Sequence, residues 1–279
     1  MLLIIGIVIG LVLGLTGSGG SVFAVPLLIV LAGISIEHAI GLSLATVAAS
    51  AIFGTVKLRT KQPVMWLPAI ILSLSGVLAA PVGQWAGSQL SVLVLTLCFV
   101  VLASTIAIVM WRKAMQCPDS ATITRASDLS NSHSGAATCR LSPNGQFKLK
   151  PRCMIGLVIG GLIVGLLSGL LGVGGGFIII PLLLFLSQVT MQQAVSTSLV
   201  VISVISTVGF ISYLFIHHSS DKTLAYPLLS WLVGGGIIGM FLGQILTNKI
   251  ADARLQKSFA IALFLMALMM LLSPFILVK

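Results

Sequence analysis

Long apolar runs divided by short polar breaks set the pattern of this chain. They occupy 2–16, 21–34, 37–56, 64–87 and 91–111, and return after a polar interval at 153–171, 177–189, 191–216, 224–246 and 255–277. Several exceed the ~18 residues that carry a helix across a bilayer. The pattern predicts an all-α membrane protein with about five helical segments on each side of the interval. The two segments at the start of each half are shorter. At about 15 residues each they reach roughly 22 Å as helices, short of a ~30 Å hydrocarbon core. They form either a steep hairpin that crosses twice or a re-entrant pair.

What separates those short segments is glycine. The first break reads Gly14-Leu15-Thr16-Gly17-Ser18-Gly19-Gly20 and leads to Pro26-Leu27-Leu28. The second reads Gly169-Leu170-Leu171-Gly172-Val173-Gly174-Gly175-Gly176 and leads to Pro181-Leu182-Leu183. Such clusters unwind or turn a helix. Bare backbone inside an apolar run finds no hydrogen-bond partners in hydrocarbon, so each break is expected inside protein or beside a wet cavity.

The two breaks are copies. Adding 155 to a first-half number takes Gly6, Gly10 and Gly14 to Gly161, Gly165 and Gly169, and Gly17, Gly19 and Gly20 to Gly172, Gly174 and Gly175. Pro26 falls on Pro181, Ser43 on Ser198 and Gly54 on Gly209, and a slightly different offset brings Gly83-Gln84 onto Gly243-Gln244. The chain is an internal duplication. It divides into a first transmembrane repeat (1–111), a hydrophilic basic linker (112–152) and a second transmembrane repeat (153–279).

Charge then relates the halves. After 37–56 come Lys57, Arg59 and Lys61, whereas the matching second-half loop carries Asp221 and Lys222 with His217 and His218. The turn at 88–90 is uncharged, while its counterpart carries Lys249, Asp252, Arg254 and Lys257. Equivalent loops swap their positive bias. With the basic linker in the cytoplasm, this predicts two inverted-topology repeats, each crossing an odd number of times.

Composition agrees with a bilayer and narrows the function. Of 279 residues, 58% are hydrophobic and 7% charged, against about 25% charged in soluble domains. The net charge of +10 sits in short loops beside apolar spans, without a basic stripe and interleaved aromatics, so nucleic acid is not a partner. The N-terminus lacks the basic region of a signal peptide. Cys98, Cys117, Cys139 and Cys153 fit no zinc spacing. No carboxylate pair, Ser/His/Asp set or metal cluster appears, which argues against an enzyme and calls for no cofactor or metal. A non-transporting scaffold would not need an inverted repeat.

Candidate chemistry therefore rests on backbone and hydroxyls. Amides around a glycine turn, followed by the positive end of a new helix, suit a small oxyanion. This nominates Gly17, Ser18, Gly19, Gly20 and Ser21 with Gly172, Gly174, Gly175 and Gly176. Ser43 and Ser198 are nominated as donors that avoid a buried charge, with helix packing the equal alternative. The outer glycines, spaced four apart, are expected to pack helices closely, and Gln84 and Gln244 to bond between helices. Glu37 and His38 at a span end read as interfacial.

The paired glycine breaks with their downstream Pro-Leu-Leu, together with Ala39-Ile40-Gly41-Leu42-Ser43-Leu44, resemble the sulfite exporter TauE/SafE family of membrane permeases. The likeness covers both halves and omits only the linker. It implies a bacterial-type inner-membrane transporter of small anions, often sulfur-containing: sulfite, sulfonates, sulfoacetate. By motif position the family's breaks map onto Gly17 to Ser21 and Gly172 to Gly176. The family often reads Gly-Thr-Ser-Leu where this chain has Gly41-Leu42-Ser43-Leu44 and Ser196-Thr197-Ser198-Leu199, and an Asp that commonly precedes the fourth segment has only Asp221 as a counterpart. The expectation is a secondary transporter working by alternating access, with a small anion, the lipid bilayer and a proton or sodium coupling ion as partners. A passive anion channel is the alternative.

Overall fold

A computed structural model describes residues 1–17, 20–58, 64–116, 140–141, 147–148, 151–186, 191–217 and 226–247. In the first half these residues form α1 (Leu2–Thr16), α2 (Gly20–Ala32), α3 (Ile36–Leu58), α4 (Trp66–Gln89) and α5 (Val92–Gln116). In the second they form α6 (Pro151–Leu171), α7 (Gly176–Leu186), α8 (Met191–His217) and α9 (Tyr226–Thr247). The helical reading of the apolar runs holds. The polar interval carries a small departure: β1 (Arg140–Leu141) pairs antiparallel with β2 (Phe147–Lys148), Arg140 opposite Lys148. The segment expected at 255–277 lies outside the described residues.

Among the described residues, five helices are long and apolar enough to cross a membrane: Ile36–Leu58, Trp66–Gln89, Met154–Leu171, Gln193–Ile216 and Leu228–Leu246. α1 and α2 are shorter, at 15 and 13 residues.

The helices are sorted by size rather than by polarity. On α4, Ile70, Leu74, Leu78, Val82 and Trp85 are exposed along one face, while Ser73, Ser75, Gly76, Ala79, Ala80, Gly83 and Gln84 are buried on the other. α9 repeats this, with Trp231, Ile238 and Phe241 exposed and Gly235, Gly236, Gly239 and Gly243 buried, beside Leu232 and Met240. In water such an arrangement would be inside out. In lipid, where leucine gains nothing by leaving the acyl chains, small residues turn inward because they let backbones approach.

That approach is built from the spaced glycines. α1 runs along α9, and α6 runs along α4. A Cβ at Gly10 would overlap the Gly236 carbonyl oxygen, and one at Gly14 would lie 2.7 Å from the Met240 carbonyl oxygen. Across the other pair, a Cβ at Gly165 would overlap the Gly76 carbonyl and one at Gly169 the Ala80 carbonyl. α3 and α8 pack against each other between these pairs, α3 also touching α9 and α8 touching α4. Each of these contacts maps onto another when the halves are exchanged.

Two neighbouring glycines on α9 separate packing from mere permissiveness. Gly234 has nothing within 4 Å of a built Cβ, whereas a Cβ at Gly235 would overlap the Leu3 carbonyl of α1. Gly234→Ala is expected to stabilise by about 0.5–1 kcal/mol, the helix-propensity gain of alanine. Gly235→Ala is expected to destabilise by about 1–3 kcal/mol through overpacking. Thermal unfolding of the two variants in detergent should move in opposite directions.

Candidate functional site

Both breaks begin with the same helix stop. α1 ends at Gly17, which adopts φ 72° and ψ −10° and donates its N–H to the Leu13 carbonyl at 2.8 Å. α6 ends at Gly172, φ 68°, whose N–H donates to the Ser168 carbonyl at 2.9 Å. A left-handed residue closes the last turn of a helix, and any side chain there would cost about 1–2 kcal/mol.

Each stop is then held by the opposite half. Ser43, from α3, has its hydroxyl 2.5 Å from the Gly172 carbonyl oxygen and 2.9 Å from that of Ile40. Ser198, from α8, has its hydroxyl 3.3 Å from the Gly17 carbonyl oxygen and 2.8 Å from that of Val195. The same helices cover the glycines: a Cβ at Gly17 would run into the Val195 side chain, and one at Gly172 would lie 2.8 Å from Ile40 Cα. Ile40 and Val195 are themselves 155 apart. Two reciprocal clasps result, each a serine and a β-branched residue of one half closing the break of the other. Ser43→Ala leaves a buried carbonyl without its donor and should cost about 1–3 kcal/mol in stability. Ser198→Ala should cost less, because its bond to Gly17 is longer. Thermal melts of both variants check the order.

Beyond Gly172 the second break continues through Gly174 (φ 67°) and Gly175 (φ 65°) before α7 starts at Gly176. A Cβ at Gly174 would lie 2.9 Å from Ser206 Oγ, 3.1 Å from Val47 Cγ1 and 3.4 Å from Ser21 Cβ. Ser21, Ser168 and Ser206 are fully buried. The hydroxyls of Ser168 and Ser206 have no hydrogen-bond partner among the described residues.

The nominated residues thus take different places. Gly17, Gly172, Ser43 and Ser198 meet in the clasps, and Ser21 meets Gly174. Gly20 is taken up in packing, its Cβ position 2.6 Å from Leu13 Cα, and Gly175 packs in the equivalent way, 3.0 Å from the Val164 carbonyl oxygen and 3.4 Å from Ser168 Cβ. Gly176 is buried at the start of α7. Ser18 and Gly19 lie outside the described residues. Ser168 and Ser206 were not nominated from sequence, although Ser168 stands one helical turn before Gly172.

Other polar groups have local roles. Gln244 Nε2 donates to the Gly54 carbonyl at 3.2 Å, joining α9 to α3. His38 Nδ1 lies 2.8 Å from Ser35 Oγ at the entry to α3. A cleft beside the second break is lined by Glu37, Ile40, Gln84, Ser88 and Leu170, with Gln84 Oε1 buried and without a partner among the described residues. The buried polar side chains among the described residues are Ser, Thr, Gln and Tyr213. No group of three His, Cys, Asp or Glu that would hold a metal occurs among them.

Comparison with known proteins places this architecture. Residues 2–270 match the family model described as Sulfite exporter TauE/SafE. A probable membrane transporter protein of Xylella fastidiosa is 29% identical over 250 residues, spanning 89% of this chain and 85% of the relative. The probable membrane transporter protein YunE of Bacillus subtilis is 23% identical over 273 residues, 95% of this chain and 94% of the relative. A probable membrane transporter protein of Methanocaldococcus jannaschii is 26% identical over 98% of this chain and 95% of its own length. No solved structure matches the chain.

Proposed function

The chain belongs to the sulfite exporter TauE/SafE family and is a multi-pass integral membrane protein, in a bacterium of the inner membrane; on that premise we propose that it is a secondary transporter of small anions. Its cargo is a sulfur-containing oxyanion such as sulfite or an organosulfonate. The two halves are inverted-topology repeats, and each glycine break turns a short helical hairpin. Transport proceeds by alternating access around a midplane site bounded by the breaks at Gly17 to Ser21 and Gly172 to Gly176, with Ser43 and Ser198. No catalytic step is part of this reading.

The reciprocal clasp carries the proposal. α3 holds the break of the second half and α8 holds the break of the first. Any rocking of the α1–α9 pair against the α6–α4 pair alters both breaks together, which is what a two-state carrier built on repeats needs. The spaced-glycine contacts join α1 to α9 and α6 to α4 across the halves, so the rigid bodies of that motion are these two mixed helix pairs. Lys57, at the end of α3, lies 3.4 Å from the centre of the Phe241 ring on α9, a cation–π contact at the end read as cytoplasmic.

Uptake into proteoliposomes tests the cargo. Labelled sulfite or methanesulfonate should enter faster than into protein-free vesicles, and labelled acetate should not. Acetate uptake equal to that of the sulfur oxyanions would remove the substrate assignment.

A further inference from the structure

The two breaks match in backbone but not in chemistry. Around the second stand Ser168 on α6 and Ser206 on α8; subtracting 155 gives Leu13 and Ala51 in the first half. Leu13 and Ala51 are buried and apolar, whereas Ser168 and Ser206 are fully buried with hydroxyls that lack a partner among the described residues. A buried hydroxyl without a partner costs roughly 1–3 kcal/mol, and two at one break mark a place where something else accepts. Ser206 Oγ lies 2.9 Å from where a Cβ at Gly174 would be, and Ser168 Cβ 3.4 Å from the same point at Gly175. Immediately beyond, α7 opens at Gly176 and runs 11 residues. Ile178 N–H already donates to the Gly175 carbonyl at 3.2 Å, which leaves the amides of Gly176 and Phe177 as the ones without a partner inside the helix, at the positive end of the helix dipole.

We infer that the second break alone binds the anion, as a single monoanionic oxyanion held between the amides that open α7 and the hydroxyls of Ser168 and Ser206. The inference rests on the transport reading for its cargo and narrows that reading from a symmetric site to an off-axis one. Ser21 of α2, whose Cβ is 3.4 Å from the Gly174 Cβ position, brings the first half to the same place, so the site spans the interface that would move. The charge state follows from what surrounds it. The buried polar side chains among the described residues are Ser, Thr, Gln and Tyr213. A helix end offers only about half a charge, which suits one negative charge stripped of water. A second negative charge would be desolvated with nothing opposite it.

Cysteine labelling tests this independently of flux. In purified protein with Cys98, Cys117, Cys139 and Cys153 replaced by alanine, Ser206→Cys and Ser168→Cys are each exposed to a small anionic methanethiosulfonate. Ser50→Cys is the control. Ser50 Oγ is also buried and without a partner among the described residues, but it faces Gly236 on α9 rather than a break. Ser206→Cys and Ser168→Cys should react, and methanesulfonate should slow the reaction at least fivefold. Sulfate at the same concentration should slow it less than twofold, and Ser50→Cys should resist labelling. If the two break cysteines stay unlabelled in monodisperse protein, or methanesulfonate gives no protection, the site assignment is overturned. If sulfate protects equally, the monoanion rule is overturned. Protected cysteines in a protein that shows no uptake would keep the site and remove the transport reading. Uptake without protection would do the reverse.

Discussion

Leucine at Gly10 is expected to abolish recovery of folded protein. Gly10 is buried where α1 crosses α9, and even a Cβ there would overlap the Gly236 carbonyl oxygen and lie 2.8 Å from the Met240 amide nitrogen. Ordinary overpacking costs about 1–3 kcal/mol because neighbouring side chains can turn away. Here the neighbour is helix backbone, which yields only if the two helices separate. Separation would also open the contacts at Gly6, Gly14, Gly239 and Gly243, which depend on the same close approach. Gly10→Ala should therefore lose at least the upper end of that range, about 3 kcal/mol, and Gly10→Leu should give no monodisperse peak on gel filtration in detergent. Normal elution of Gly10→Leu would mean that α1 and α9 are not held by backbone approach.

Leucine at Gly174 should do the opposite: leave the protein folded and stop transport. Gly174 has φ 67°, so any side chain there carries about 1–2 kcal/mol of backbone strain. Its neighbours are side chains, Ser206 Oγ at 2.9 Å, Val47 Cγ1 at 3.1 Å and Ser21 Cβ at 3.4 Å from a built Cβ. Those can shift by tenths of an ångström, so the protein should survive at reduced stability. The added side chain pushes aside the serines that face the break and takes the place beside them. Uptake per milligram of monodisperse Gly174→Leu protein should fall at least a hundredfold. Uptake above half that of the unmodified protein would place the anion elsewhere.

What the sequence disclosed depended on whether a feature was local and repeated. The first helix was legible to the residue, 2–16, because glycine ends it and left-handed caps are local events. The outer glycines declared themselves as packing residues by their spacing of four, and the contacts of Gly10 and Gly165 agree. Ser43 and Ser198 drew notice because they fall in register. That each closes the other half's break was not legible, since the partners are 129 and 181 residues away. Ser168 and Ser206 escaped for the opposite reason. Their counterparts are Leu13 and Ala51, so a search for repeated chemistry passes over them. Gly20 and Gly175 also read as ligand-facing in sequence, yet both pack against the preceding helix, a distinction that only the path of the chain after the break decides. In the polar interval, the short pairing of Arg140–Leu141 with Phe147–Lys148 gave no apolar periodicity by which to see it.

The central claim is that this protein is a carrier whose two helix groups move around an anion, and counterflow tests it most directly. Proteoliposomes are loaded with unlabelled methanesulfonate or sulfite, diluted into a trace of the labelled anion, and followed over time. A carrier working by alternating access exchanges the label inward against the internal pool. Label should therefore accumulate transiently above its external concentration in loaded vesicles and not in empty ones. Label that only equilibrates, at the same rate whether or not the vesicles are preloaded, would contradict alternating access and identify a passive anion channel.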